Sequence, residues 1–267
     1  MLAKENYLFE LDADLKVLMF PCLKDNYGYL VHHESSGHTA CIDTPDANEI
    51  IAQCEKMNWQ VTHILNTHHH FDHAGGNEKV KNFFNATVYG FINDKERIPE
   101  IDVLLEDLEE LNLLGSKIKI FHTPGHTLGH IVYHFPEAKV IFVGDTLFSL
   151  GCGRVFEGTM TQMWDSLSLF KKFDPETIIF CAHEYTESNA KFACHIDPDN
   201  ENLKKMQQKI NNLRKQNMPT LPTTVKVELD LNPFLGNNFK NIAQNLGIEG
   251  ASPEAIFARV RTEKDRF

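Results

Sequence analysis

Short apolar stretches bounded by turn residues recur through the first two thirds of the chain, and they predict strands. Between them lie stretches whose apolar residues are three and four apart, the pattern of a helix that buries one face. One predicted helix begins at Thr44-Pro45-Asp46, a second follows Gly75-Gly76-Asn77, and a third covers about 161–171. The predicted strands are 17–20, 27–31, 39–42, 61–65, 87–89, 117–121, 131–134, 139–143 and 177–181.

The pattern changes after about Tyr185. Leu203, Met206, Ile210 and Leu213 are spaced as one face of an amphipathic helix. Residues 226–231 alternate and are predicted to be extended. Ser252-Pro253 begins another helix, with Ser as N-cap and Pro at the first helical position. We therefore expect a sandwich-like α/β domain over 1–185 and a smaller helical domain over 186–267.

Composition excludes several classes of protein. With 26 basic and 37 acidic residues the net charge is −11, which opposes a nucleic-acid-binding surface. The longest apolar run found, 178–182, is far below the ~20 residues that a membrane helix needs. The acidic N-terminal stretch MLAKENYLFELD has no apolar segment typical of a secretory signal. The six cysteines contain no C-x-x-C pair, so we expect free thiols and a cytoplasmic location.

Four of the 14 histidines and one aspartate lie within 68–73, directly after an apolar strand. In an extended stretch His68 and His70 share one face and His69 points to the other, while Asp72 and His73 lie at the turn into a helix. This arrangement suits two neighbouring metal ions better than one. The alternative for the cluster is a polar loop of solvated histidines, and for His69 that alternative is favoured.

Three further polar residues follow predicted strands: His126, Asp145 and His183. Each alone is more readily explained as a turn residue, a turn cap or a buried hydrogen-bonded histidine. Together with the cluster they provide five imidazoles and two carboxylates, which is enough for a two-metal centre. Such mixed ligands suit zinc, iron or manganese.

The T-H-x-H-x-D-H motif at 67–73, followed in order by His126, Asp145 and His183, resembles the metallo-β-lactamase superfamily. Within it the chain is most similar to the glyoxalase II family, the hydroxyacylglutathione hydrolases. The stretches 144–148, 151–153, 183–186 and 261–265 carry this similarity. The resemblance implies an αββα sandwich with metals at one edge and a helical C-terminal domain.

The resemblance also implies roles for individual residues. The first metal would be held by His68, His70 and His126, and the second by Asp72, His73 and His183, with Asp145 bridging both. Asp72 and Asp145 are the catalytic candidates, and zinc is the expected metal, with iron and manganese as alternatives. Glutathione contacts would come from Arg154, Phe156, Tyr185, Arg261 and Lys264.

Two of these contacts depart from some relatives. Arg154 stands where others have Lys and keeps the charge, whereas Phe156 replaces a Tyr and has no hydroxyl to donate. Arg261 and Lys264 are three apart on a predicted helix and so share a face. A solvated helix end with cations near its C-terminus is the alternative explanation of that pair.

The implied activity is metal-dependent hydrolysis of S-D-lactoylglutathione and related S-acylglutathiones, the second step of methylglyoxal detoxification. We expect a cytoplasmic monomer acting on a small-molecule thioester, with no membrane or nucleic-acid partner. The alternatives are a glutathione-persulfide dioxygenase with one iron on the same fold, and a non-catalytic metal-binding protein.

Overall fold

The structure is a computed structural model that describes residues 5–11 and 14–267. Residues 1–4 and Asp12, which belong to the stretch assessed above for a signal, lie outside the described residues. Contacts divide the chain into two compact units. The first comprises Met1–His122 with Gly129–Gly144, and the second comprises Thr123–Leu128 with Asp145–Phe267. The domain boundary at residue 185 stays a prediction.

The first unit contains two sets of paired strands. Strands β1 to β7 form a sheet in chain order, antiparallel from β1 to β4 and parallel from β4 to β7. Strands β8 to β11 pair antiparallel in succession. The bounds are β1 Tyr7–Glu10, β2 Leu15–Cys22, β3 Asn26–His33, β4 His38–Ile42, β5 Gln60–Leu65, β6 Thr87–Phe91, β7 Val103–Leu105, β8 Glu110–Leu113, β9 Ser116–His122, β10 Ile131–Phe135 and β11 Val140–Gly144.

Helices α1 (Ala47–Met57), α2 (Phe71–Ala74) and α3 (Asn77–Phe84) also belong to the first unit. The Asp46 carboxylate caps α1 by accepting the backbone N–H of Asn48 at 3.0 Å. Buried residues of α1, α3 and the β1–β7 sheet form one apolar cluster. Because parallel strands end at the same edge of a sheet, β4, β5 and β6 place the loops that follow them side by side.

The second unit is mostly helical, and its core lies between α5 and α6, with Ala190, Leu203 and Ile210 buried. Ser252 caps the last helix by accepting the Ala255 N–H at 3.2 Å, as predicted. The bounds are β12 Leu147–Phe148, β13 Gly151–Cys152, α4 Met160–Ser168, β14 Ile178–Cys181, α5 Thr186–Ile196, α6 Glu201–Lys215, β15 Thr223–Thr224, α7 Val225–Leu231, α8 Phe239–Asn245 and α9 Pro253–Arg266. In the part of the chain that the structure describes, no helix has the length and apolar character to cross a bilayer.

The prediction of an extended segment over 226–231 is wrong, because Val225–Leu231 forms helix α7. Thr224 caps this helix by accepting the Val227 N–H at 3.3 Å. The buried positions are Val225, Glu228 and Leu231, which are three apart and share one helical face. The alternating sequence hides this periodicity, since it assigns Glu228 to the polar face of a strand.

Candidate metal centre and cavity

The histidine cluster of the first unit occupies the segment between β5 and α2. His68 Nε2 lies 3.0 Å from His70 Nδ1, so the two rings present nitrogens to one point. The His69 ring faces another way, and its Nδ1 lies 3.1 Å from the carboxylate of buried Asp94. This geometry follows the predicted alternation along 68–70.

Asp43 organises this segment from the end of β4. Its carboxylate accepts the backbone N–H and the hydroxyl of Thr67, both at 2.7 Å, and lies 2.8 Å from His73 Nδ1. A neutral His73 therefore carries its proton on Nδ1 and offers the Nε2 lone pair to a metal. Since the Thr67 hydroxyl donates to Asp43, it accepts from His68 Nδ1 at 3.0 Å. The His68 Nε2 is likewise left as a ligand atom.

Sequence reasoning missed Asp43, although it directly follows a buried strand as the other candidates do. Its φ of 57° lies in the left-handed region, which Asp tolerates better than most residues. Gly144 makes room for the same arrangement. Its φ is 47°, and a Cβ there would lie 2.6 Å from the Thr67 hydroxyl.

Asp72 lies in the first turn of α2. One of its carboxylate oxygens, Oδ2, lies 3.6 Å from His73 Nε2 and accepts a hydrogen bond from Asn26 Nδ2 at 3.0 Å. The sequence-predicted pair of Asp72 and His73 is thus brought together, with Asn26 holding the carboxylate.

In the second unit Asp145 lies between His126 and His183. Its Oδ2 is 3.3 Å from His126 Nε2, and its Oδ1 is 3.3 Å from His183 Nε2. His126 Nδ1 lies 2.9 Å from the Arg154 carbonyl, to which it donates, so the ring lone pair lies on Nε2. Each of the two Asp145 carboxylate oxygens thus faces one imidazole.

These distances fit metal coordination. Two nitrogen or oxygen ligands ~2.0–2.1 Å from a tetrahedral metal lie ~3.3 Å apart. The His68–His70, His126–Asp145 and His183–Asp145 separations are 3.0, 3.3 and 3.3 Å. Each of the seven predicted side chains also belongs to a cluster of His and Asp ligand atoms that could hold a metal ion. The donor set therefore fits a centre of divalent metal ions.

A cavity of about 540 Å³ lies within the second unit. His126 and Asp145 line it together with all five residues predicted to contact glutathione, which are Arg154, Phe156, Tyr185, Arg261 and Lys264. The loop that leads from Asp145 to Arg154 is tight, because a Cβ on Gly153 would lie 2.0 Å from the Asp145 carbonyl.

The three cations of the cavity are held differently. Arg261 is only 3% exposed, and its guanidinium donates to the Cys152 carbonyl and to Asp265 Oδ1, both at 3.0 Å. Lys264 Nζ is 3.3 Å from the Ser188 hydroxyl, and burial, followed by the charge of Arg261, lowers its pKa to about 8. Arg154 is the most exposed cation.

Aromatic rings border the candidate ligands on the cavity side. The Tyr185 ring stacks on His183 with centroids 4.7 Å apart and planes 3° from parallel. Phe156 is 61% exposed, and its ring lies 5.2 Å from that of His126. Phe156 therefore offers a substrate an apolar surface.

Residues 29–183 match the sequence model of the metallo-β-lactamase superfamily, and residues 184–267 match that of the hydroxyacylglutathione hydrolase C-terminus. The crystal structure of the BLEG-1 B3 metallo-β-lactamase superposes with a TM-score of 0.63 at 22% identity, covering 81% of this chain and 98% of that one. At such identity the likeness shows the fold alone, and it confirms the predicted fold class.

Two curated relatives define the family within this fold. A hydroxyacylglutathione hydrolase from Maricaulis maris is 49% identical over 96% of this chain and 100% of its own length. Another from Hyphomonas neptunium is 46% identical over 95% of this chain and 98% of its own length. The chain therefore belongs to the hydroxyacylglutathione hydrolase family.

Proposed function

We propose that this protein hydrolyses the thioester of S-D-lactoylglutathione, and of related S-acylglutathiones, to the hydroxy acid and glutathione. The observation that carries the proposal is the cavity of the second unit, where the candidate metal ligands His126 and Asp145 line the same space as Arg154, Arg261 and Lys264. A glutathione thioester carries two carboxylates for these cations. Anchoring it there places its thioester beside the metal ligands, which supplies proximity and orientation.

The cations are suited to a small anion in an otherwise acidic protein. The net charge is −11, so binding of an anionic ligand depends on cations concentrated in one cavity. Arg261 presents a planar guanidinium that is already oriented by two hydrogen bonds, and Lys264 adds a point charge. Tyr185 and Phe156 offer aromatic surface to the remainder of the ligand.

The candidate ligands would hold two metal ions. We assign His68, His70 and His126 to the first and Asp72, His73 and His183 to the second, with Asp145 shared by both. Support comes from the ligand-like spacings within each unit and from family membership. We propose zinc for both positions, and metal analysis distinguishes it from iron or manganese, which accept the same ligands.

When bound, two divalent metals supply an activated water near neutral pH and a Lewis acid for the thioester carbonyl. Around them, Asp145 fixes the separation of His126 and His183, and Asp72 orients the attacking water beside His73. The cavity cations would hold the glutathione carboxylates and so keep the thioester beside His126 and Asp145. The leaving group is a thiolate, so a protein general acid is not required.

The direct experiment compares two substrates with the metal-loaded protein. S-D-lactoylglutathione should be cleaved with release of thiol and D-lactate. A lactoyl thioester of N-acetylcysteamine, which lacks both carboxylates, should show kcat/KM lower by on the order of 10²-fold. Equal rates for the two thioesters, or no cleavage of either, would refute the proposed function.

We also propose that the protein works in the cytoplasm as a monomer and without macromolecular partners. The acidic composition and the cysteines, all of which are free, support this assignment. Sedimentation at increasing concentration would refute the monomer if the mass doubles.

A further inference from the structure

A fully buried carboxyl group lies behind the cavity of the second unit. Glu228, on helix α7, accepts hydrogen bonds from the Thr223 hydroxyl at 2.7 Å, the Leu150 N–H at 2.8 Å and Asn232 Nδ2 at 2.9 Å. An isolated carboxylate is costly to bury, and these donors offset part of that cost, while burial still raises the pKa of Glu228 above its usual value. The arrangement ties α7 to the turn between β12 and β13.

Asn232 extends this network to both strands of the β12–β13 hairpin. Its Nδ2 contacts the Phe148 carbonyl at 3.2 Å and the Gly151 carbonyl at 2.9 Å. Its Oδ1 accepts the N–H of Phe234 at 2.9 Å. One buried amide therefore fixes the hairpin on one side and the residue Phe234 on the other.

The hairpin and Phe234 both contact Arg261. The Arg261 guanidinium donates to the carbonyl of Cys152, the last residue of the hairpin, and its carbon lies 5.2 Å from the Phe234 ring centroid. Thus Asn232 positions the hydrogen-bond acceptor and the aromatic face that surround this cation. Glu228 in turn holds Asn232.

We propose that Glu228 and Asn232 are positioning residues for glutathione binding, which orient Arg261 in the cavity through the β12–β13 hairpin and Phe234. Neither residue lines the cavity. The inference rests on the proposed function, because it assigns Arg261 to the glutathione carboxylates. It adds specificity-determining residues from helix α7 and its C-cap, a helix that the sequence pattern does not reveal.

The network has a defined hydrogen-bond polarity that variants can probe. Glu228 acts as an acceptor toward the Thr223, Leu150 and Asn232 donors and also toward Ser149, so Glu228→Gln keeps the shape but turns one acceptor oxygen into a donor. Asn232→Ala removes the contacts to both hairpin carbonyls and to the Phe234 N–H. Both changes leave the candidate metal ligands intact.

The test measures two quantities on the metal-loaded, full-length protein: steady-state kinetics with S-D-lactoylglutathione and the affinity for non-hydrolysable S-hexylglutathione. Each variant should raise KM and the Kd of S-hexylglutathione about tenfold, with kcat changed less than about twofold. Folded variants with unchanged KM and Kd would overturn the inference, as would a loss confined to kcat.

A control and a double-mutant cycle separate positioning from general destabilisation. Asn200→Ala removes the side chain that caps α6 by accepting the Leu203 N–H, a contact outside the Glu228–Asn232 network. It should lower Tm without raising KM. Asn232→Ala should add less than about twofold to the KM of Arg261→Lys, because both act through one guanidinium. Full additivity, or an equal KM rise in Asn200→Ala, would overturn the positioning role.

The wild-type protein distinguishes this inference from the proposed function. Absence of thioester cleavage by metal-loaded wild type would refute the function itself. Normal cleavage by wild type together with normal ligand binding by both variants would refute only the positioning role of Glu228 and Asn232.

Discussion

The ligand segment of the first unit and the cavity of the second unit are built in opposite ways. The first gathers His68, His70, Asp72 and His73 from one short segment, in which the buried carboxylate of Asp43 holds Thr67 and His73. The second gathers His126, Asp145, Arg261 and Lys264 from positions far apart in the chain. The contrast suggests a division of labour, in which the ligand segment governs metal content and turnover while the cationic part of the cavity governs substrate affinity.

The largest effect should follow removal of the shared ligand. Asp145→Ala deletes the carboxylate that faces both His126 and His183, so several kcal/mol of metal-dependent stabilisation should be lost. We expect kcat to fall on the order of 10³-fold, with metal per chain reduced by elemental analysis. Asp165→Asn, on an exposed position of α4, is the control and should retain both values. Full metal content and activity in Asp145→Ala would contradict its role.

A smaller effect should follow a change behind the ligands. Asp43→Asn keeps the shape of the side chain but weakens the acceptor that orients His73. Changes of this kind typically lower metal affinity or activity by about 10–100-fold. The loss should lie in kcat at limiting metal and be partly restored by excess metal, while KM stays within about twofold. A rise in KM without loss of metal in Asp43→Asn would contradict the assignment of the ligand segment to metal content and turnover.

Affinity should respond to the cavity cations instead. Lys264→Ala should raise KM for S-D-lactoylglutathione about tenfold with little change in kcat, because the removed charge acts on binding. Lys191→Ala, which removes an exposed lysine of α5 in the same unit, is the matched control. A fall in kcat with constant KM in Lys264→Ala would assign Lys264 to turnover.

The smallest predicted effect is the pH dependence of KM. The pKa of Lys264 is lowered to about 8 by burial and by the positive charges of Arg261 and Arg154, against which Cys152 and Asp265 act in the opposite direction. The ammonium is therefore present below pH 8 and lost as pH rises through that value. KM should rise about fivefold between pH 7 and pH 9.

Lys264→Arg supplies the control for this pH profile, since a guanidinium stays charged throughout the range. Its KM should be constant between pH 7 and pH 9. An identical rise in wild type and Lys264→Arg would assign the titration to another group.

The contrast between adjacent ligands and distant contacts also explains which features the sequence could predict. The consecutive ligands of 67–73 form a motif, and the later ligands each follow an apolar strand, so the metal-binding set could be proposed without a structure. The nine predicted strands and five of the helices also follow from apolar spacing, whereas short strands such as β1, β7 and β8 were not predicted. Family membership then confirmed the fold and the activity class.

The features that the sequence did not predict depend on contacts between residues distant in the chain. Asp43 is a single polar residue after a strand, and only its approach to Thr67 and His73 reveals its role. Helix α7 was mispredicted because V-K-V-E-L-D-L has an alternating pattern, while capping by Thr224 and burial of Glu228 decide its conformation. The network of Glu228, Asn232 and Arg261 has no sequence signature, since Asn232 reaches Arg261 through backbone carbonyls of the β12–β13 hairpin and through Phe234.

The most direct test of the account is a metal titration of S-D-lactoylglutathione hydrolysis. Metal-free protein would be reloaded stepwise, with metal per chain, kcat and the Kd of S-hexylglutathione measured at each step. We expect kcat to rise from near zero and to saturate at about two metals per chain, while the Kd changes less than about threefold. Hydrolysis that is independent of metal content would contradict this expectation.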